Sequence, residues 1–136
     1  MVIISVDYGD VRTGVAACDK LQLLASPVTV IKQKDPELLS EKIKKICLEK
    51  KAEKIVLGLP KNMDGSEGFR AEACKEFAKL LSEKTGLSID FQDERLTTVS
   101  AHNILNATDT RGKKRKAVVD AVSAVLILED YLRKQN

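Results

Sequence analysis

Three acidic positions in this chain are placed as a cation-binding site would need. Asp7 ends an apolar run, Val2-Ile3-Ile4-Val6 broken only by Ser5, and Gly9 follows two positions later. Asp93 and Glu94 end a second apolar segment, and Asp120 lies inside a strongly apolar stretch near the C-terminus. Carboxylates that gather in one place repel each other and are costly to desolvate. A divalent cation relieves both problems, and an all-oxygen donor set suits Mg²⁺ or Mn²⁺ rather than structural zinc. One or two such ions on a phosphate oxygen would orient a water and stabilise the leaving oxygen, which is the chemistry of phosphodiester hydrolysis. In this reading Asp7 is the central ligand, Glu94 the second and Asp120 the third. Asp93 rivals Glu94, because alternation along a strand lets only one of two adjacent residues point into the site.

Each residue also has a plainer reading. Asp7 beside Gly9 suits an ordinary turn, Asp93 and Glu94 suit a turn or a pair with Arg95, and Asp120 suits an ion pair with Lys116 one helical turn earlier. Together the three carboxylates carry more weight than any one. Basic residues flank them. Lys116 is positioned to meet a scissile phosphate and join the catalytic set, while Arg12 and Arg95 offer guanidinium forks that match phosphate oxygens. The cluster Arg111-Gly112-Lys113-Lys114-Arg115-Lys116 suits a grip on the nucleic-acid backbone that positions without reading sequence, or else a solvated loop. His102, the single histidine, reads as a surface or packing residue. The stretch Asn62–Gly68 (NMDGSEG) offers backbone amides before a helix, as an anion site or a simple capped turn.

The elements that must carry these residues follow from pattern. Val2–Asp7 reads as a central strand, Gly14–Ala17 as its returning partner, and Pro27–Ile31 as a third strand, together an antiparallel meander. Asp35 and Pro36 mark a helix start, with Leu38, Leu39, Ile43, Ile46 and Cys47 as its apolar stripe. Lys54–Leu59 is the fourth strand. A helix from Ser66 or Glu67 to Lys84 packs through Phe69, Ala73, Phe77, Leu80 and Leu81, and Gly86 ends it. Leu87–Phe91 alternates as strand five, running into Asp93. Thr97 or Thr98 caps a short helix through Leu105, and 106–114 reads as a mobile loop. Lys116–Leu132 is a last, largely buried helix carrying Val118, Val119, Val122, Val125, Leu126 and Leu128. The expected architecture is α/β: a mixed five-stranded sheet, three antiparallel strands and then parallel ones reached by crossover helices, with helices on both faces.

The totals agree. With 136 residues the chain fits one domain, 1–136. Aromatics are 4% against 43% apolar residues overall, so aliphatic side chains must build the core. The three cysteines are widely spaced and form no metal-ligand pattern, which suits a reduced, cytoplasmic setting. No window is long and apolar enough to span a membrane, and Met1 leads straight into a core strand, so neither a membrane anchor nor a signal peptide is expected. The formal charge of +3 is a weak hint of nucleic acid, and the placement of the cations says more.

Four ordered motifs, DYGDVRTG at Asp7–Gly14, GLPKNMDGSEG at Gly58–Gly68, DERLTT at Asp93–Thr98 and KRKAVVDAVSAVLILEDYL at Lys114–Leu132, resemble the bacterial YqgF/RuvX family. Members are described as Holliday junction resolvases or pre-16S rRNA nucleases with the RNase H-like fold. The resemblance spans nearly the whole chain. It implies Asp7, Glu94 and Asp120 as acidic catalytic positions, and Arg12, Lys116 and the basic loop as phosphate-side residues. Ser123 and Glu129 depart from the alanine and glutamine common at those places. The implied activity is processing of the 5′ end of pre-16S rRNA, with resolution of four-way DNA junctions as the alternative. The partners are then structured RNA or branched DNA and, for the first activity, a pre-ribosomal particle. A junction has two-fold symmetry and needs two active sites, so that reading requires a homodimer where RNA processing allows a monomer. Two rivals stand beside them: a non-catalytic nucleic-acid-binding assembly factor, and an ATP-binding protein of the actin and sugar-kinase type. The latter needs two such domains and a second glycine turn that this chain lacks.

Overall fold

In a computed structural model, residues 1–22, 24–60, 68–93 and 112–135 are described, with the backbone alone for 112–120 and 135. Five strands, β1 (Val2–Asp7), β2 (Arg12–Cys18), β3 (Ala25–Lys32), β4 (Ala52–Leu59) and β5 (Ser88–Asp93), form one sheet in the order β3-β2-β1-β4-β5. The first three pair antiparallel, and β4 and β5 run parallel to β1. The expected mixed sheet is therefore present. Parallel pairing puts the C-terminal ends of β1, β4 and β5 on one edge, where ligands of open α/β sheets bind.

Helices α1 (Pro36–Lys50) and α2 (Phe69–Thr85) cover one face, and α3 (Gly112–Gln135) crosses the other. Helix α1 starts where the Asp35 carboxylate accepts the Glu37 amide at 2.9 Å, with Pro36 in its first turn. Helix α2 stops at Gly86, whose φ of 73° is the left-handed turn that glycine adopts without strain.

The pleat divides the core in two. Ile4, Val6, Val15, Ile55, Leu57 and Leu59 pack with Leu39, Ile43, Phe77 and Leu81 under α1 and α2. Ile3, Ala16, Cys18 and Val56 pack with Ala124, Ile127, Leu128, Tyr131 and Leu132 of α3. Each central strand is thus buried on both sides, which is why Val2–Val6 reads as a nearly continuous apolar run.

Four expectations are corrected. Leu38 does not join the α1 stripe: it is half exposed, because the buried arc runs through Leu39, Ile43 and Cys47. Phe69 is 87% exposed, since the packing face of α2 falls on Ala71, Cys74, Phe77, Ala78 and Leu81 and places the first residue outside it. Residues 112–114, expected at the end of a loop, are helical, so α3 begins at Gly112 rather than Lys116. Within α3, Val122, Val125 and Leu126 are only half-buried, and Ala124, Ile127, Leu128, Tyr131 and Leu132 form the deep contact. The short helix expected from Thr97 or Thr98 lies outside the described residues, as do His102 and most of Asn62–Gly68.

Candidate active site

The site is built from the end of β1 outward. Along β1, Ile3 faces α3 and Ile4 and Val6 face α1 and α2. Ser5, fully buried, donates its hydroxyl to the Ala124 carbonyl of α3 at 2.6 Å. Alternation then puts Asp7 on the α3 side, one pleat repeat beyond Ser5 toward the open edge. Ile3 lies in the cluster formed with Ile127 and Tyr131, and Ser5 meets Ala124, so α3 runs opposite to β1. The backbone of Asp120 therefore sits one helical turn, about 6 Å, before Ala124 in the direction of Asp7. Sequence reasoning noticed Ser5 only as a break in the apolar run. A lone hydroxyl inside a buried strand was the available signal that this strand is pinned to a helix.

The turn after Asp7 is held from both sides. Tyr8 stacks on Phe77 of α2 with ring centroids 4.3 Å apart, and burial raises its phenol above the usual tyrosine value. Asp10 pairs with Arg70 of α2 at 3.0 Å. The Gly9 amide donates to the hydroxyl of Thr13, itself fully buried, at 3.3 Å. A Cβ on Gly9 would stand 2.2 Å from the Arg12 carbonyl oxygen, so only glycine fits this turn. Sequence marks Gly9 as a turn residue and Phe77 as a packing residue, but the Tyr8 stack, the Asp10–Arg70 pair and the Gly9–Thr13 bond depend on how the turn closes and which helix lies beneath it.

Asp7 stands opposite Gly14 on β2, and Arg12, two residues further out on β2, keeps to the same face. The Arg12 Nε is buried and has no hydrogen-bond partner among the described residues. Such an atom calls for an acceptor. Asp93 ends β5 opposite Leu59 of β4. Leu59 packs on the α1 and α2 side, and register partners share a face, so the pleat directs Asp93 away from the α3 side. Among the described residues no three of His, Cys, Asp and Glu lie together. The expected set draws on Glu94 and on the Asp120 side chain, both outside the described residues. Arg95, Arg111 and the side chains of Lys113, Lys114, Arg115 and Lys116 also lie outside them. The backbone places 113–116 in the opening turn of α3, and the first turn of that helix holds no acidic residue.

Comparison with known proteins fits this geometry. A family profile described as "RuvX: Holliday junction resolvase" matches residues 1–134. A protein of Halothermothrix orenii named "Putative pre-16S rRNA nuclease" is 45% identical over 136 residues, covering 100% of this chain and 97% of its own. One of the same name from Agathobacter rectalis is 42% identical over 135 residues, covering 97% and 94%. Among solved structures, Thermus thermophilus RuvC in complex with a Holliday junction substrate superposes with a TM-score of 0.63 at 10% identity, covering 100% of this chain and 97% of that one. The fowlpox virus Holliday junction resolvase gives 0.57 at 13% identity, covering 98% and 99%. At such identities the two structures establish the shared fold.

Proposed function

The chain belongs to the RuvX family, and from that premise we propose that it is a divalent-metal-dependent endonuclease that processes the 5′ end of pre-16S rRNA. The observation that carries this is the register between β1 and α3. The Ser5–Ala124 hydrogen bond sets the Asp120 turn of the helix beside the Asp7 end of the strand. The pleat turns Asp93 away from the Asp7 side, which disfavours it as the second carboxylate and leaves Glu94, the residue the family resemblance implies. These three residues offer only oxygen donors, which fits Mg²⁺ or Mn²⁺. A bound ion would supply water activation and charge stabilisation at the phosphate.

The other residues hold the substrate. Arg12, on the Asp7 side of the sheet and with its Nε unpartnered among the described residues, is suited to a phosphate oxygen. Helix α3 opens on Gly112 and then four consecutive cations, against the helix dipole at that end. A polyanion beside this turn removes the conflict, and Lys116, one turn before Asp120, is the cation nearest the acidic set along the helix. Arg95 and Arg111 complete the backbone grip.

The family description supports a second reading, resolution of four-way DNA junctions, which would need two copies acting together. The test is a cleavage panel of 5′-extended 16S precursor RNA and four-way DNA junctions in Mg²⁺, in Mn²⁺ and with chelator. The expected result is cutting of the precursor that chelator abolishes. Asp7→Asn and Asp120→Asn should each lower the rate about 10³-fold, the equivalent of several kcal/mol of lost charge stabilisation, while binding persists. If both variants still cut, the metal site is wrong. Preferential cutting of the junction selects the second reading, and binding without cutting selects a non-catalytic assembly factor.

A further inference from the structure

The β3 edge of the sheet carries a second cationic surface that the cleavage site does not use. Lys32, at the end of β3, is the register partner of Arg12 and shares its face. The Gln33 amide donates to the Val11 carbonyl at 3.0 Å, one ladder step beyond the Arg12–Lys32 pair, and alternation from Ile31 puts Gln33 on the α1 side of the sheet. Gln33 then lines a cavity of about 270 Å³ with Leu38, Glu41, Lys42 and Lys45 of α1.

The charges on this surface are unevenly used. Lys84 of α2 reaches across to Glu41 at 3.0 Å and to Glu37 at 3.8 Å, and the Asp35 carboxylate caps the helix. The Glu41 carboxyl is held below its usual value by that lysine. Lys32, Lys34, Lys42 and Lys45 are exposed, and among the described residues no acidic side chain pairs with them. Exposed Glu49, one turn beyond Lys45, closes the strip. The half-exposed Leu38 lines the same cavity.

We propose that this edge is a phosphate-backbone contact for the arm of nucleic acid flanking the cleavage position, with Lys32 continuing from Arg12 and Lys34, Lys42 and Lys45 carrying it over α1. It rests on the nuclease reading for which polymer lies there. The strip extends roughly 20 Å by strand and helix rise, so about six base pairs of a DNA flank at ~3.4 Å each, or slightly more of an A-form RNA flank, cover it. Contacts to phosphate alone make it indifferent to sequence.

The test uses the full chain with Lys34→Gln, Lys42→Gln and Lys45→Gln combined. A second triple variant, Lys50→Gln, Lys51→Gln and Lys79→Gln, removes the same charge elsewhere. Binding is measured in chelator across 50 to 200 mM salt, on RNA and DNA duplexes with a long flank and with the flank cut back. On long flanks the first variant should lower the slope of log affinity against log salt by about 2 to 3, at roughly 0.7 to 0.9 per lost contact. The control variant should leave the slope unchanged, and the cut-back substrates should bind both variants like wild type. A reduced slope on either polymer upholds the contact. An unchanged slope on both, an equal loss on cut-back substrates or an equal loss in the control overturns it. Because the binding is read without metal, a wild-type protein that cuts nothing would refute the nuclease reading and leave this result standing by itself.

Discussion

Single side chains decide the chemistry and some of the stability. Gly9 is fixed by its 2.2 Å approach to the Arg12 carbonyl. Gly9→Ala must push the turn outward and move both Asp7 and Arg12. Misplacement near 1 Å costs on the order of 10²-fold in rate, so cleavage should fall by about that much while the helices persist by circular dichroism. Ser123 tells the opposite story. Its hydroxyl is buried without a partner among the described residues, at a position where the family resemblance expects alanine. Ser123→Ala should raise stability by about 1 kcal/mol, seen as a higher urea midpoint at unchanged slope. Cys47 is chemically quiet, because burial pushes its thiol up to about 11.

At the scale of elements, the decisive contact is between β1 and α3. Ser5→Ala removes the hydroxyl bond to the Ala124 carbonyl, which α3 still pairs within the helix, and should cost about 1 kcal/mol in urea unfolding. If α3 then shifts on the sheet, cleavage falls further than the population of unfolded chain accounts for, and a matched core variant such as Ile43→Val should lose stability without that excess. The periodicity of α1 and α2 was legible because apolar residues recur at helical spacing. Their exact faces were not. Leu38 and Phe69 are apolar, yet each falls just outside the arc that meets the sheet. Periodicity locates a stripe to within one residue of its edge, and only the partner element decides which edge is covered.

For the whole molecule, the far end of the sheet is closed by a polar network that joins three elements. Tyr131 of α3 donates to Asp90 of β5, and Lys54 of β4 reaches Asp90 at 3.2 Å and the Tyr131 hydroxyl at 3.4 Å. The Tyr131 bond foremost, with Lys54, holds the Asp90 carboxyl below its usual 3.8. A carboxylate depressed on folding contributes stability above its unfolded value and loses it as pH falls through the folded one. Wild type should therefore lose stability below pH 3.8 through this residue, and Asp90→Asn should lack that part of the acid limb. The Asp90 side chain is 42% exposed, so the difference should stay below about 1 kcal/mol. Urea unfolding at pH 5 and pH 2.5 measures it. Lys54 is raised by the same partners, so its contribution is complete below 10.5 and is lost only in strong alkali.

By itself the chain's order of residues determined the five strands, the antiparallel start, the parallel continuation and the acidic residue at the end of β1. Those follow from local periodicity, turn residues and connection length, which are properties of short windows. Tertiary structure decided the rest: that Ser5 fastens α3 across β1, that Asp93 shares a face with Leu59 rather than with Asp7, and that the turn after Asp7 rests on Phe77 and Arg70 of α2. Such relations join residues as far apart as Ser5 and Ala124. No window of sequence contains them, because they exist only once packing has brought two faces into contact.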